Sequence, residues 1–310
     1  MTAPGDRAVA CAEVVDNVDV RDSQSYGDGL AVVTVTYSPG ELLERFLETL
    51  PKATDRQVRV VLADNGSTDG VPERAAERPG VELARMAGNL GYGSAANRGI
   101  AELGEEFGWV VVANPDVEWT AGSLDELLAA TERWPRGGAF GPLIRQPDGS
   151  VYPSARALPS LGRGAGHALL GGVWPENPFT RAYRRSTEST SERTAGWLSG
   201  SCLLLRRAAL DSVTGFDPRY FMYFEDVDLG DRLARAGWLN VYVPDAEVVH
   251  IGGHAASRAS ARMLAEHHRS AYRYLADRYS GPALAPLRLA LRAALGTRAR
   301  LAVRAAERQR

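Results

Sequence analysis

The sequence predicts an α/β fold with a doubly wound, mostly parallel central sheet flanked by helices. Three observations carry this. Short apolar, β-branched runs stand at Leu30–Thr36, Val58–Ala63 and Trp109–Ala113. Segments with helical spacing separate them, the alternation expected of a parallel sheet. Polar residues follow each run, at the strand ends where open α/β sheets bind ligands.

The elements follow in order. Leu30-Ala-Val-Val-Thr-Val-Thr36 reads as a strand buried on both faces. Residues 40–50 have helical spacing, with Pro51 as a stop. Val58 to Ala63 is a second strand, residues 70–78 a short helix, and Val81 to Arg85 a weak strand. A helix is expected over 94–104, a strand at Trp109–Ala113 and a helix over 123–133. After Gly137 the pattern loosens, and residues 141–194, rich in Gly, Pro, Ser and Arg, read as loops over one face. Order returns with an apolar strand from Trp197 to Leu205. An acidic helix starts near Glu225, a strand covers Leu239–Val243, and residues 260–276 are helical by pattern.

Composition narrows the function classes. The chain has 310 residues, 45% hydrophobic and 24% charged, enough for a sizeable core. A net charge of −2 gives no general attraction to nucleic acid. Cys11 and Cys202 do not form a disulfide framework, which points to a reducing cytoplasm. No apolar stretch reaches the roughly 20 residues of a membrane span, and the first residues lack a signal-peptide pattern. Residues 1–28 carry six acids against two arginines and read as a disordered acidic leader. Residues 281–310 carry seven arginines against one acid, Glu307, with Leu284, Leu287, Leu291 and Leu295 on one helix face. Such a basic amphipathic helix either lies on an anionic membrane surface or packs on its own domain.

Three strand ends carry chemistry. The first ends at Thr36-Tyr37, the second runs into Asp64-Asn-Gly-Ser-Thr-Asp69, and the third into Asn114-Pro-Asp116. Asp, Asn, Gly and Ser also favour tight turns, which account for any one of these alone. Recurrence at one sheet edge favours a shared ligand. Gly91-Tyr-Gly93-Ser-Ala-Ala96 fits the dinucleotide pattern, with Asp116 twenty positions on. The strand before it is interrupted by Glu82 and Arg85, and a nicotinamide oxidoreductase leaves Asp64 and the acids at 225–231 without a role.

Thr36-Tyr37, Asp64-Asn-Gly-Ser67, Asn89-Leu-Gly-Tyr-Gly93 with Asn97, Asn114-Pro-Asp116, Trp197-Leu-Ser-Gly-Ser201 and Phe224-Glu-Asp226 stand in this order. Together they resemble the inverting family-2 glycosyltransferases of the GT-A fold, over residues 30 to 275. The segments Asp148-Gly-Ser-Val-Tyr-Pro-Ser-Ala-Arg156 and Tyr220-Phe-Met-Tyr-Phe-Glu-Asp-Val-Asp-Leu-Gly-Asp-Arg232 resemble its actinobacterial rhamnosyltransferases of cell-wall linker synthesis. The resemblance implies a Rossmann-like GT-A domain over 29–280, with a nucleotide-sugar half (29–120), an acceptor half (121–280) and a C-terminal acceptor-side helical extension. It implies L-rhamnose transfer from dTDP-L-rhamnose to polyprenyl-diphosphate-linked N-acetylglucosamine, at the inner face of the cell membrane. The alternatives are another nucleotide sugar, such as a UDP-hexose, another polysaccharide acceptor, or a sugar-nucleotide binding module without catalysis.

The resemblance also implies roles. Asp64 accepts the thymine N3–H, Thr36 and Tyr37 flank the base, and Asn65, Asn97 and Asn114 lie on the nucleotide sugar. Gly91 and Gly93 let the backbone approach it. The family's Asp-x-Asp is Asn114-Pro-Asp116 here, so one carboxylate, Asp116, is left for a Mg2+ or Mn2+ cofactor. His250 matches a metal-binding histidine of related enzymes, the alternative being a polar residue in a strand-end loop. His254, His267 and His268 read as surface or packing residues. Asp226 is the candidate base and Glu225 the runner-up. Asp228–Arg232 and Asp231–Arg235 have the spacing of surface ion pairs. Trp197, Ser199 and Gly200 shape the acceptor side, and Arg156, Arg163, Arg181, Arg184 and Arg185 can meet its diphosphate.

Overall fold

Strand β1 (Leu30–Thr36) is buried at every position, so both of its faces need cover. Leu30 and Val32 point into one core layer, and Ala31, Val33 and Val35 into another. This alternation is the period-2 consequence of strand geometry. The computed structural model describes residues 26–159, 191–252 and 261–308. Residues 1–25 of the leader expected at 1–28, and Arg163, Arg181, Arg184, Arg185 and His254, lie outside the described residues, whereas Tyr26 and Gly27 are joined to the domain, Gly27 N–H donating to the Glu105 carbonyl at 2.8 Å.

β1 pairs in parallel with β2 (Val58–Asp64) and β4 (Trp109–Ala113), and β2 with β3 (Val81–Arg85). The remaining strands are β5 (Val117–Trp119), β6 (Gly137–Arg145), β7 (Val151–Tyr152), β8 (Ala155–Arg156), β9 (Arg193–Ala195), β10 (Trp197–Leu198), β11 (Cys202–Arg206) and β12 (Leu239–His250). The sheet order is β3-β2-β1-β4-β11-β6-β12-β5, with β7 beside β6 and β9 beside β12. β11 runs antiparallel to both neighbours, so the sheet is parallel on its first half and mixed beyond. β8 and β10 form a separate two-stranded sheet.

Helices cover both faces. They are α1 (Glu41–Ala53), α2 (Val71–Ala75), α3 (Tyr92–Ala101), α4 (Ser123–Arg133), α5 (Arg207–Ser212), α6 (Glu225–Arg235), α7 (Ala261–Arg278) and α8 (Ala285–Arg308). α1 and α4 bury Phe46, Leu43, Leu124 and Leu127 in the first layer. α3, α5 and α6 build the second around Phe216, Leu229 and Leu233. Burying each such side chain stabilises the fold by roughly 1.5–3 kcal/mol.

Several expectations are corrected. Residues 137–145, partly assigned to loops, form β6, a buried strand between β11 and β12. Pro142 sits there at no cost to the ladder, because β12 bulges between Val243 and Glu247 opposite it. The run from Trp197 to Leu205 is two strands split by a turn at 199–201. Pro51 lies within the last turn of α1 rather than ending it. α8 packs along α7, and three of the four expected stripe leucines, Leu287, Leu291 and Leu295, are half-buried. Leu284, Leu289 and Leu301 remain exposed.

Candidate active site

The carboxyl ends of β1, β2 and β4 form one side of the site. Register places Thr36 beside Asp64 at the last pair of β1 and β2. The Thr36 hydroxyl donates to Asp64 Oδ1 at 2.8 Å. The Ser67 hydroxyl donates to the same oxygen, and the Ser67 N–H reaches both carboxylate oxygens at 3.2 Å. Asp64 is 2% exposed, whereas Tyr37, next along the chain from Thr36, is 60% exposed. The loop after β1 is laced to the loop after β2 by Ser38 N–H on Ser67 Oγ and Gly40 N–H on Asp69.

The end of β4 meets the end of β12. β5 pairs with β12 so that His250 faces Val117, directly after Asp116. The Ile251 N–H donates to the Asp116 carbonyl at 2.9 Å. This register brings His250 Nε2 to 3.0 Å from Asp116 Oδ1 and 3.2 Å from Asn114 Nδ2. Among the described residues no three His, Cys, Asp or Glu side chains gather as a metal-holding group. Asp116 and His250 stand as a hydrogen-bonded pair that could offer an ion two ligands. One carboxylate oxygen with one imidazole nitrogen suits Mn2+ and tolerates Mg2+.

The motif at 89–97 packs closely against a distant segment of the chain. Gly91 has φ 84° and ψ 173°, a conformation open essentially to glycine. A Cβ there would lie 2.2 Å from the Phe221 carbonyl oxygen, and one on Gly93 would lie 2.8 Å from Phe216 Cβ. The glycines thus admit the 216–221 segment. Asn97 is likewise taken up: its Nδ2 donates to the Phe216 carbonyl at 2.7 Å, and its Oδ1 accepts the Phe216 N–H at 2.9 Å. Asn65 clamps the same loop, accepting from Leu90 N–H and donating to the Gly91 carbonyl, each at 3.1 Å. These four positions hold the scaffold of the cleft.

That scaffold carries the acidic pair. Tyr223 and Phe224 precede α6 with φ of 66° and 67°, a left-handed conformation costing about 1–3 kcal/mol at each non-glycine residue. They are held by Ser270 Oγ on the Met222 carbonyl at 2.9 Å and by the Phe224 ring against His267 and Tyr274. Glu225 is 8% exposed, and its Oε2 finds no hydrogen-bond partner among the described residues. Asp226 Oδ2 accepts the Gly200 N–H at 2.9 Å, and Oδ1 accepts Val227 N–H at 2.8 Å. Burial raises the proton affinity of both acids; the Asp226 charge adds to this at Glu225. At Asp226 the Gly200 and Val227 N–H groups and the Arg156 charge oppose it. A buried carboxyl with elevated proton affinity is the usual form of a general base or acid.

The turn at 199–201 joins both sides. Ser199 N–H donates to the Ser154 carbonyl at 2.7 Å, and Asn114 N–H to the Ser201 carbonyl at 2.9 Å. Trp197 is fixed by its Nε1–H on the Ala157 carbonyl at 3.1 Å. Sequence reading missed Tyr92, whose hydroxyl donates to the Gly200 carbonyl at 2.7 Å. Burial first, and then the neighbouring acids Glu225, Asp226 and Asp116, raise the proton affinity of that hydroxyl. The only local sign of it was its place inside the quoted Asn89–Gly93 motif. Asp228 and Asp231 form the expected pairs with Arg232 and Arg235, each at 2.6 Å, but they are buried rather than at the surface. Asp231 also binds Arg278 and Tyr274 of α7.

Comparison with known proteins gives consistent relatives. Residues 31–214 match the family described as Glycosyl transferase family 2, and residues 173–272 match Glycosyltransferase like family 2. The chain is 60% identical over 292 residues to the N-acetylglucosaminyl-diphospho-decaprenol L-rhamnosyltransferase of Mycobacterium tuberculosis, covering 91% of this chain and 95% of that protein. It is 26% identical to the rhamnosyltransferase WbbL of Escherichia coli, covering 79% and 92%. Among solved structures it is similar to a mannosyltransferase from Pyrobaculum calidifontis in complex with GDP-Man and Mn2+. That match has a TM-score of 0.56 at 19% identity and covers 90% of this chain and 73% of that one.

Proposed function

This chain belongs to glycosyltransferase family 2, and we propose that it transfers L-rhamnose from dTDP-L-rhamnose to a polyprenyl-diphosphate-linked N-acetylglucosamine, with inversion at the sugar. The single observation that carries this reading is the 60% identity, over nearly the whole of both chains, to an enzyme of that name. The site geometry agrees with it. Asp116 and His250 would hold a divalent cation, with Asn114 beside them as a neutral hydrogen-bonding partner. Such a cation neutralises charge on the departing diphosphate. Asp64 would accept the base N3–H through Oδ2, the oxygen not already taken by two hydroxyl groups.

An acceptor alcohol is a weak nucleophile and needs a base. Asp226 fills this role. Its Oδ2 is aimed by the Gly200 N–H, and its raised proton affinity suits it to take the hydroxyl proton as the new bond forms. Glu225, one residue earlier on the same helix, points about 100° away and does not share the reacting atom. Tyr92 holds the 199–201 turn, and through it the base, in place.

The lipid-linked acceptor gives the C-terminal hairpin a purpose. Among the described residues no helix is long and apolar enough to cross a membrane. α8 instead carries Arg288, Arg292, Arg298, Arg300 and Arg304 with exposed Leu289 and Leu301, and would lie on the anionic inner leaflet. Each arginine near such a surface contributes about 1 kcal/mol. Removing residues 281–310 is expected to reduce binding to anionic liposomes far more than turnover of a soluble acceptor; equal liposome binding would refute it. The reaction itself is tested by offering a panel of nucleotide sugars with a synthetic N-acetylglucosaminyl-diphospho-lipid and weighing the product. A gain of one deoxyhexose with dTDP-rhamnose alone is expected, and a product from a UDP-hexose instead would overturn the donor assignment.

A further inference from the structure

We propose that Thr36 is a positioning residue that sets which nucleobase the site accepts, acting through Asp64 rather than by touching the base. The inference rests on the reading of Asp64 given above and adds the residue that aims it. Thr36 and Asp64 are the last pair of β1 and β2, side by side on neighbouring parallel strands. Thr36 has no exposed surface, whereas Asp64 keeps 2%. What little of the pair a ligand can meet therefore belongs to Asp64.

The carboxylate is held asymmetrically. An ionised carboxylate only accepts, through about two lone-pair sites on each oxygen. Oδ1 takes the Thr36 hydroxyl at 2.8 Å and the Ser67 hydroxyl, and it shares the Ser67 N–H with Oδ2 at 3.2 Å. Among the described residues Oδ2 receives nothing else. An incoming N–H is thus directed to Oδ2. The Ser67 hydroxyl is fixed in direction too: its oxygen accepts the Ser38 N–H at 2.8 Å, and its proton goes to Asp64. Ser38 holds a left-handed φ of 50°, at a cost of about 1–3 kcal/mol, and its Oγ accepts the Thr68 N–H at 3.0 Å. Without the Thr36 hydroxyl, Oδ1 regains an open site and the carboxyl group loses one of the bonds that set its plane. The aimed oxygen fits a base with a ring N–H, such as thymine or uracil, and repels one that presents a lone pair or a methyl group there. Thr34 provides the contrast. It lies two residues earlier on the same face of β1, is as buried, and its hydroxyl finds no partner among the described residues.

The test uses the full chain and calorimetric titration, with Mn2+, of dTDP and of dTDP methylated at N3. The wild type should prefer dTDP, and Asp64→Asn should lose that preference. Thr36→Val, which exchanges the hydroxyl for a methyl group, is expected to raise Kd for dTDP roughly 10-fold, most of a hydrogen bond to a charged group. It should leave Kd for the methylated nucleotide unchanged. Thr36→Ser should restore most of the preference, and Thr34→Val should leave it intact. Thr36→Ala repeats the test should Val disturb the strand, with Tm followed throughout. Equal weakening of both nucleotides in Thr36→Val, a preference kept there but lost in Asp64→Asn, or the same loss in Thr34→Val would overturn the proposal alone. A wild type that binds both nucleotides equally, or a preference that survives Asp64→Asn, would overturn the reading of Asp64 and this proposal with it. Sugar transfer from a UDP-hexose would instead change the proposed reaction and leave Thr36 standing, because uracil carries the same N3–H.

Discussion

Asp64 and Asp226 are both enclosed carboxylates at one edge of one sheet, yet their surroundings differ. Asp64 is surrounded by donors: two hydroxyl groups and a backbone N–H converge on it. Asp226 accepts from two backbone N–H groups among the described residues, and beside it Glu225 keeps an oxygen with no partner among them. Donors around the first acid hold it still, as suits a group that reads a base. Burial without enough donors raises the proton affinity of the second, as suits a group that exchanges a proton. Under the proposed function the two halves of the cleft would divide binding from chemistry.

The largest test of that division is Asp226→Asn. It should lower kcat by about 10²–10⁴-fold, the worth of a general base, measured by single-turnover transfer. Near-normal turnover would remove Asp226 from the chemistry. Next is Gly91→Ala. Its positive φ and the Phe221 carbonyl 2.2 Å from the added Cβ predict a loss of about 2–5 kcal/mol of stability, read as a fall in Tm on the order of 10 °C. A variant with unchanged Tm but weakened dTDP binding would return Gly91 to the nucleotide.

The smallest effect sharpens the comparison. The Glu225 carboxyl holds its proton more tightly folded than unfolded, so its burial costs nothing at low pH. The cost grows as pH rises from the ordinary glutamate range through the raised value. Glu225→Gln removes this cost. Its Tm advantage over the wild type should be near zero around pH 4 and reach a few degrees by about pH 9, with turnover within roughly 10-fold of normal. A gap that does not widen with pH would mean Glu225 is well solvated, and a turnover loss matching that of Asp226→Asn would make Glu225 the base.

Much of this was legible in the sequence. β1, β2 and β4 announce themselves because strands buried on both faces need continuous apolar, β-branched runs. The polar ends of the same strands gave Thr36, Asp64 and Asp116 directly. β6 was hidden because Gly137, Gly138 and Pro142 argue against a strand, and only the bulge in β12 makes Pro142 acceptable. Local pattern could not report why Gly91, Gly93 and Asn97 are needed. Their partners at 216–221 lie more than a hundred positions away, joined only by the fold. The closeness of His250 to Asp116 also depends on a strand pairing across 134 positions.

The division of labour is tested most directly by calorimetric titration of dTDP, with Mn2+, into Asp116→Asn and Asp226→Asn alongside the wild type. Asp226→Asn should bind dTDP as the wild type does while failing to transfer the sugar. Asp116→Asn should lose the Mn2+-dependent part of the affinity. Loss of dTDP binding in Asp226→Asn, or unchanged metal-dependent binding in Asp116→Asn, would contradict the account.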